Sequence, residues 1–326
     1  MFTIEELRAA QKRVYREMPP TPQYAWPLLA ERTGCEVWVK HENHTPTGAF
    51  KVRGGITYMD WLKQTHPDVD GIITATRGNH GQSQARAARK AGLSVTIIVP
   101  QGNSVEKNTA MRGFGAELIE YGRDFDRAKA EANSRATQYG TFMVPAFHKE
   151  LCRGVATYGM ELFDAVPDLD TVYVPVGCGS GLCATIAARD ALGLSVKIVG
   201  VVSAHADAAK RSFEQGELVQ SPTAFTFADG VAVCKPVPEA VEYFARGAER
   251  FVAVDDDEVA EAVRIYWQDT HNIAEGAGAV ALAALLQEKD QMQGKRVAVI
   301  LSGGNCDQSQ IAEILQGRTP KTRLPA

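Results

Sequence analysis

Short β-branched runs alternate with stretches of helical spacing along most of this 326-residue chain, and that alternation restricts the fold more than any other feature. Strand-like runs occur at Gly71 to Thr76, Ser94 to Pro100, Glu117 to Tyr121, Thr171 to Val176, Lys197 to Val202, Phe251 to Val254 and Val297 to Leu301. Helical patterns fill the gaps at Gln82 to Ala91, Phe125 to Tyr139, Leu182 to Leu192 and Glu258 to Thr270. A strand followed by a helix returns parallel to its neighbour, so the sequence predicts an α/β fold with parallel-type sheets flanked by helices. No internal repeat or low-complexity linker interrupts the pattern, and only Gly317 to Ala326 reads as a loose polar tail.

Composition narrows the function. With 45% hydrophobic and 23% charged residues, the chain has material for two modest domains and a substantial core. A net charge of −4 offers no basic footprint for nucleic acid. No apolar run approaches the ~20 residues of a membrane span; Val297 to Leu301 has the length of a buried strand. Met1 to Arg16 mixes Glu5, Glu6, Arg8, Lys12, Arg13 and Arg16 with apolar residues and lacks the apolar centre of a secretory signal. The six cysteines (Cys35, Cys152, Cys178, Cys183, Cys234 and Cys306) form no C-x-x-C pair, which fits reduced thiols in the cytoplasm better than a disulfide framework or a zinc clip.

The chemistry concentrates in Thr47-Gly48-Ala49-Phe50-Lys51, followed at once by Val52-Arg53-Gly54-Gly55. A lysine beside an aromatic ring at a helix start is suited to holding a carbonyl compound as a Schiff base. Its amine, with an ordinary pKa near ~10.4, must be desolvated or set near other cations before it attacks. Phe50 is the candidate apolar cover and Arg53 the candidate neighbouring cation; a solvated helix lysine is the plain alternative. Val174-Pro175-Val176-Gly177-Cys178-Gly179-Ser180-Gly181 ends a strand and opens a helix, where bare backbone and free N–H donors suit a phosphate. It lacks the spacing of a dinucleotide loop. Thr76-Arg77-Gly78-Asn79-His80-Gly81 and Leu301-Ser302-Gly303-Gly304-Asn305 likewise put polar groups at strand ends.

Taken with Lys40-His41-Glu42-Asn43-His44-Thr45-Pro46, these motifs in this order resemble the fold-type II family of pyridoxal 5′-phosphate (PLP) enzymes, and most closely its threonine and serine dehydratases and serine racemases. The resemblance covers nearly the whole chain. It implies a large PLP-binding domain at 1–66 and 148–326 with a small inserted domain at 67–147, and the cofactor in the cleft between them. Lys51 becomes the cofactor-holding lysine and general base. Phe50, Asn79, Gly177, Cys178, Gly179, Ser180, Gly181, Glu275 and Ser302 become cofactor contacts, with Ser302 facing the pyridine nitrogen or, alternatively, capping the final helix. A hydroxyl in that place does not strongly favour a protonated pyridinium, so loss of a β-leaving group is expected and transamination is not. Thr76, Asn79 and His80 would bind the substrate carboxylate, although a structural role for His80 stays open. Glu275 faces the ring or caps a helix.

The departures from the family pattern are informative. Arg77 stands where related racemases carry a proton-donating serine, and an arginine is not a proton donor at any ordinary pH. A guanidinium instead suits a second carboxylate, as in 3-hydroxyaspartate, unless it pairs with a nearby acid or points to solvent. Val202 and Ala208 replace the acidic residues of the serine racemase cation site, so no metal is expected. The expected function is therefore a PLP-dependent dehydratase (ammonia-lyase) that converts threonine, serine or 3-hydroxyaspartate to a 2-keto acid and ammonia, as a homodimer with no membrane or nucleic-acid partner. A β-replacement enzyme, a racemase and an idle PLP or nucleotide binder are the rivals.

Overall fold

A computed structural model describes residues 1–322. The chain opens with α1 (Ile4–Val14), β1 (Gln23–Ala25), α2 (Pro27–Thr33), β2 (Glu36–His41) and α3 (Lys51–Thr65). It continues through β3 (Gly71–Ala75), α4 (Asn79–Lys90), β4 (Ser94–Val99), α5 (Val105–Gly113), β5 (Glu117–Glu120), α6 (Phe125–Tyr139) and β6 (Phe142–Met143). The remainder comprises α7 (Lys149–Ala165), β7 (Thr171–Pro175), α8 (Ser180–Ala191), β8 (Lys197–Ser203), α9 (Ala208–Gln215), α10 (Pro238–Gly247), β9 (Arg250–Val254), α11 (Asp256–Thr270), α12 (Gly276–Gln287), β10 (Arg296–Leu301) and α13 (Gln308–Leu315).

The strands form a six-stranded sheet, β1-β2-β10-β7-β8-β9, and a four-stranded sheet, β5-β4-β3-β6. Only β1 and β2 pair antiparallel; the other pairings are parallel, as the alternating sequence predicts. Strand β10 shows why such strands read as continuous apolar runs. Val297, Val299 and Leu301 face a core shared with α11 and α12, while Ala298 and Ile300 face the opposite core with α7 and α8. Both faces are covered, so alternation with polar residues disappears.

Each strand expected from sequence lies within a residue or two of an observed one, whereas β1, β2 and β6 are additional. Helix α12, Gly-Ala-Gly-Ala-Val-Ala-Leu-Ala-Ala-Leu-Leu-Gln, also escapes periodicity, because it is buried on every side and shows no polar face. The core against the four-stranded sheet includes Tyr58, Met59 and Leu62 of α3 and Leu151 of α7. That packing unit therefore extends past the 67–147 interval. At the C-terminus Pro320 is buried and the Thr319 hydroxyl donates to Asp257, so the beginning of the expected tail is docked; residues 323–326 lie outside the described ones. No helix among the described residues is long and apolar enough to cross a membrane.

The arrangement positions a cleft. Strand β10, last in the chain, sits between β2 and β7, so polar loops following all three converge at their C-terminal ends. The loop after β3, from the other sheet, closes the opposite wall.

Candidate active site

Lys51 is the first residue of α3. The preceding segment is sewn to the end of β10: Ala49 bridges Gly303, and the Phe50 N–H donates to the Ser302 carbonyl at 3.0 Å. On the other side the Ser83 hydroxyl of α4 donates to the Lys51 carbonyl at 2.6 Å. Gly54 and Gly55 permit this close packing, since a Cβ at either would fall 2.8 Å from the Leu151 carbonyl oxygen or 2.4 Å from the Ser83 hydroxyl. The Lys51 Nζ donates to Ser180 Oγ at 3.0 Å and lies 5.0 Å from the centre of the Phe50 ring. Burial pushes its amine below the ordinary lysine value, with only Cys178 and Cys152 opposing.

Arg53 is not the cation that activates Lys51. Its guanidinium is fully buried and turned to Glu42 (2.7 Å) and Glu161 (2.6 Å), with further bonds to Thr157 and Thr21. Lys40 joins Glu161 at 2.6 Å, giving two cations and two carboxylates in one buried network behind the site. A cation so compensated projects little field toward Lys51, which is lowered by desolvation instead.

The loop from β7 into α8 carries Gly177, Cys178, Gly179, Ser180 and Gly181, all lining the cleft. Gly179 has φ +94° and caps α8 without a side-chain bond, leaving first-turn N–H groups free for an anion. A Cβ on Gly177 would sit 2.3 Å from the Gly230 carbonyl oxygen, so only glycine fits.

Across the cleft, Thr76 accepts from the Gly78 N–H at 3.0 Å, which leaves its own proton to donate. Asn79 and His80 open α4. The buried His80 Nε2 has no partner among the described residues, and burial with the nearby Lys51 pushes this imidazole down to about 3, so it stays neutral. That is not the satisfied histidine of a packed core. Arg77 is exposed at the mouth and, among the described residues, makes no side-chain hydrogen bond or ion pair.

Ser302 directly follows β10, buried in the cleft wall, and among the described residues its hydroxyl makes only a 3.4 Å contact to the Ala277 carbonyl. It caps nothing: the final helix α13 has Asp307 as its N-cap. Glu275 precedes α12 but makes no capping bond there. Its carboxylate receives Asn79 Nδ2 at 2.5 Å and Lys107 Nζ at 3.4 Å, while Lys107 also reaches Asp229 at 2.7 Å. Asn305 completes the set by donating to Asn79 Oδ1 at 2.8 Å. Sequence reasoning passed over Lys107 and Asp229, which sit in no recognisable pattern; Asn305 lay within a quoted motif without a role. Val202 and Ala208 are fully buried, and Asp207 is bound to Arg211 at 2.9 Å.

One lysine between two carboxylates leaves an excess negative charge, which makes the deeper acid harder to ionise. Burial, aided by Asp229, pushes Glu275 up to about 7. A carboxyl raised on folding favours the folded state most below its unfolded pKa, and that contribution fades as pH rises through the folded value. The wild type is therefore expected to lose stability relative to Glu275→Gln as the pH rises from 4.5 to 8. Urea unfolding of both proteins across that range measures it; parallel pH curves contradict the assignment.

These features fit pyridoxal phosphate: a desolvated amine, an uncapped helix start framed by glycines, a neutral hydroxyl at a strand end, and an orphaned buried imidazole around a cleft of about 950 Å³, open solvent included. The profile of the pyridoxal-phosphate dependent enzymes matches residues 14–303. An L-threonine ammonia-lyase of Thermotoga maritima is 33% identical over 97% of this chain and 78% of its own length. Threonine deaminase isoform 2 of Solanum lycopersicum superposes with a TM-score of 0.88 at 27% identity, covering 97% of this chain and 94% of that one. A PLP-dependent aspartate racemase superposes with a TM-score of 0.89 at 25% identity, covering 95% and 97%. The chain belongs to the pyridoxal-phosphate dependent enzymes, in the fold-type II group of threonine and serine dehydratases.

Proposed function

We propose that this enzyme is an ammonia-lyase that removes the 3-hydroxyl and the amino group of a small 3-hydroxy amino acid, releasing a 2-keto acid and ammonia, and that 3-hydroxyaspartate is its preferred substrate over threonine and serine. The relatives named for threonine support the reaction class. The observation carrying the substrate is Arg77. Among the cationic side chains lining the cleft, Lys107 is neutralised by Asp229 and Glu275, and Lys51 is committed to the chemistry. Arg77 alone is free to meet a second carboxylate.

Bound pyridoxal phosphate supplies an electron-withdrawing ring conjugated to the substrate nitrogen, which acidifies the α-proton. Lys51, its amine shifted down by burial, takes that proton as general base. The Thr76 hydroxyl, Asn79 and neutral His80 at the start of α4 hold the substrate carboxylate, with Asn79 set in place by Glu275 and Asn305. Glycines and N–H groups at 177–181 would hold the phosphate, and Ser302 would offer the ring nitrogen a neutral partner. Val202 and Ala208 offer no side-chain oxygen at the positions of the serine racemase cation site. The free thiols among the described residues support a cytoplasmic location, and a homodimer is the assembly we expect.

Arg77→Ala is expected to lower kcat/KM for 3-hydroxyaspartate by about 10²-fold while sparing serine and threonine, because a charge-assisted bidentate pair is lost for one substrate only. Keto-acid and ammonia release from each stereoisomer tests this. A wild type that prefers threonine, or a variant weakened equally on every substrate, makes Arg77 a general anion attractor and returns the enzyme to threonine and serine. Chiral analysis of recovered substrate tests racemisation, for which Arg77 is no proton donor.

A further inference from the structure

We infer that the Ser180 hydroxyl is the positioning partner of Lys51 during catalysis, holding the amine in both its protonation states, and is not itself a phosphate contact. This rests on the proposed elimination, in which Lys51 cycles between amine and ammonium. The Lys51 Nζ donates to Ser180 Oγ at 3.0 Å, the one side-chain hydrogen bond it makes among the described residues. Among the described residues no carboxylate faces this amine. The titratable groups around it are the thiols of Cys152 on α7 and Cys178 in the loop before α8, and His80 on α4; Arg53, on its own helix, is turned away to Glu42 and Glu161.

A carboxylate partner would hold the lysine charged and unreactive. A hydroxyl behaves differently, since it accepts from an ammonium and donates to a neutral amine. It therefore orients Nζ throughout the proton transfer without locking it in either state. The position of this hydroxyl is built into the loop. Gly179, at φ +94°, turns the chain so that Ser180 becomes the first residue of α8, and Ser180 itself is only 3% exposed. The loop's other polar side chain, Cys178, bears a weakly bonding thiol.

The test uses holoenzyme with Ser180→Ala and Ser180→Thr. Loss of the acceptor destabilises the ammonium more than the amine, so in Ser180→Ala the acid limb of the kcat profile should move down by about half to one pH unit. Its kcat should fall roughly 10–100-fold, since the amine is no longer oriented, with KM and the Kd for pyridoxal phosphate changed by less than about threefold. Ser180→Thr should restore both. A Ser180→Ala enzyme that binds the cofactor over tenfold more weakly, yet turns over normally at saturation with an unmoved pH limb, overturns the inference and leaves Ser180 as a phosphate ligand. If Ser180→Ala does not fold, Ser180→Cys keeps the volume, weakens the bond and gives the same readouts. The pH titration of the bound cofactor's visible absorbance should shift in step. It reports on the Lys51 contact even if no amino acid is eliminated, which separates failure of this inference from failure of the proposed reaction.

Discussion

Replacing Lys51 with alanine is expected to abolish the visible band of bound pyridoxal phosphate and to cut keto-acid formation by about 10⁴-fold or more, since one substitution removes both the covalent anchor and the general base. The two losses should appear together. Cofactor retained at the glycine loop would still dialyse away, because phosphate contacts alone are reversible. The structure argues against rescue by a neighbour. Lys107 is the other lysine lining the cleft, and its amine is raised and held charged by Asp229 and Glu275. Absorbance before and after borohydride reduction, together with a coupled keto-acid assay, measures both effects. Turnover within tenfold of wild type would show that another group does the chemistry.

Arg53→Met is expected to be the most destabilising substitution near the site, costing about 3–5 kcal/mol of a total that for domains is about 5–15 kcal/mol. The guanidinium is inaccessible to solvent and bonds both oxygens of Glu42 and both oxygens of Glu161. Without it, two buried carboxylates share the single charge of Lys40, and neither finds water. Lysine is a poor substitute, because a point charge on a flexible stem does not reproduce the five donors of the fork. A double-mutant cycle isolates the coupling: Glu161→Gln should cost markedly less in the Arg53→Met background than alone. Additive urea-unfolding energies would mean that the network contributes packing and little electrostatics. Because α3 carries both Arg53 and Lys51, a loosened network should also broaden the cofactor's environment, visible as reduced near-ultraviolet dichroism.

Arg53 illustrates how far the sequence reaches. Two residues from Lys51 along the chain, it invites an electrostatic role there. On the folded helix its partner Glu161 is 108 positions away, and charge compensation ends the long-range effect. Lys107 gives the opposite lesson: nothing around it in sequence marks a site, yet it meets Glu275, 168 positions on, at the cleft wall. Asn79 and Glu275, separated by 196 positions, pair in the same way.

Local chemistry was therefore legible wherever backbone and side chain act within a few residues. The sequence by itself determined the parallel α/β architecture through its strand and helix periodicities, and it marked Lys51 as the candidate lysine through its flanking motif and 177–181 as the candidate phosphate loop through its glycines. Tertiary structure decided which charges are paired and which, among the described residues, are free: Arg53 and Lys107 neutralised, Arg77 unpaired, His80 neutral and orphaned, Lys51 resting on Ser180. The physical reason is that periodicity and backbone preference are short-range properties written in neighbouring residues. Desolvation and ion pairing depend on groups far apart in the chain that meet only when both sheets and the helices between them have packed.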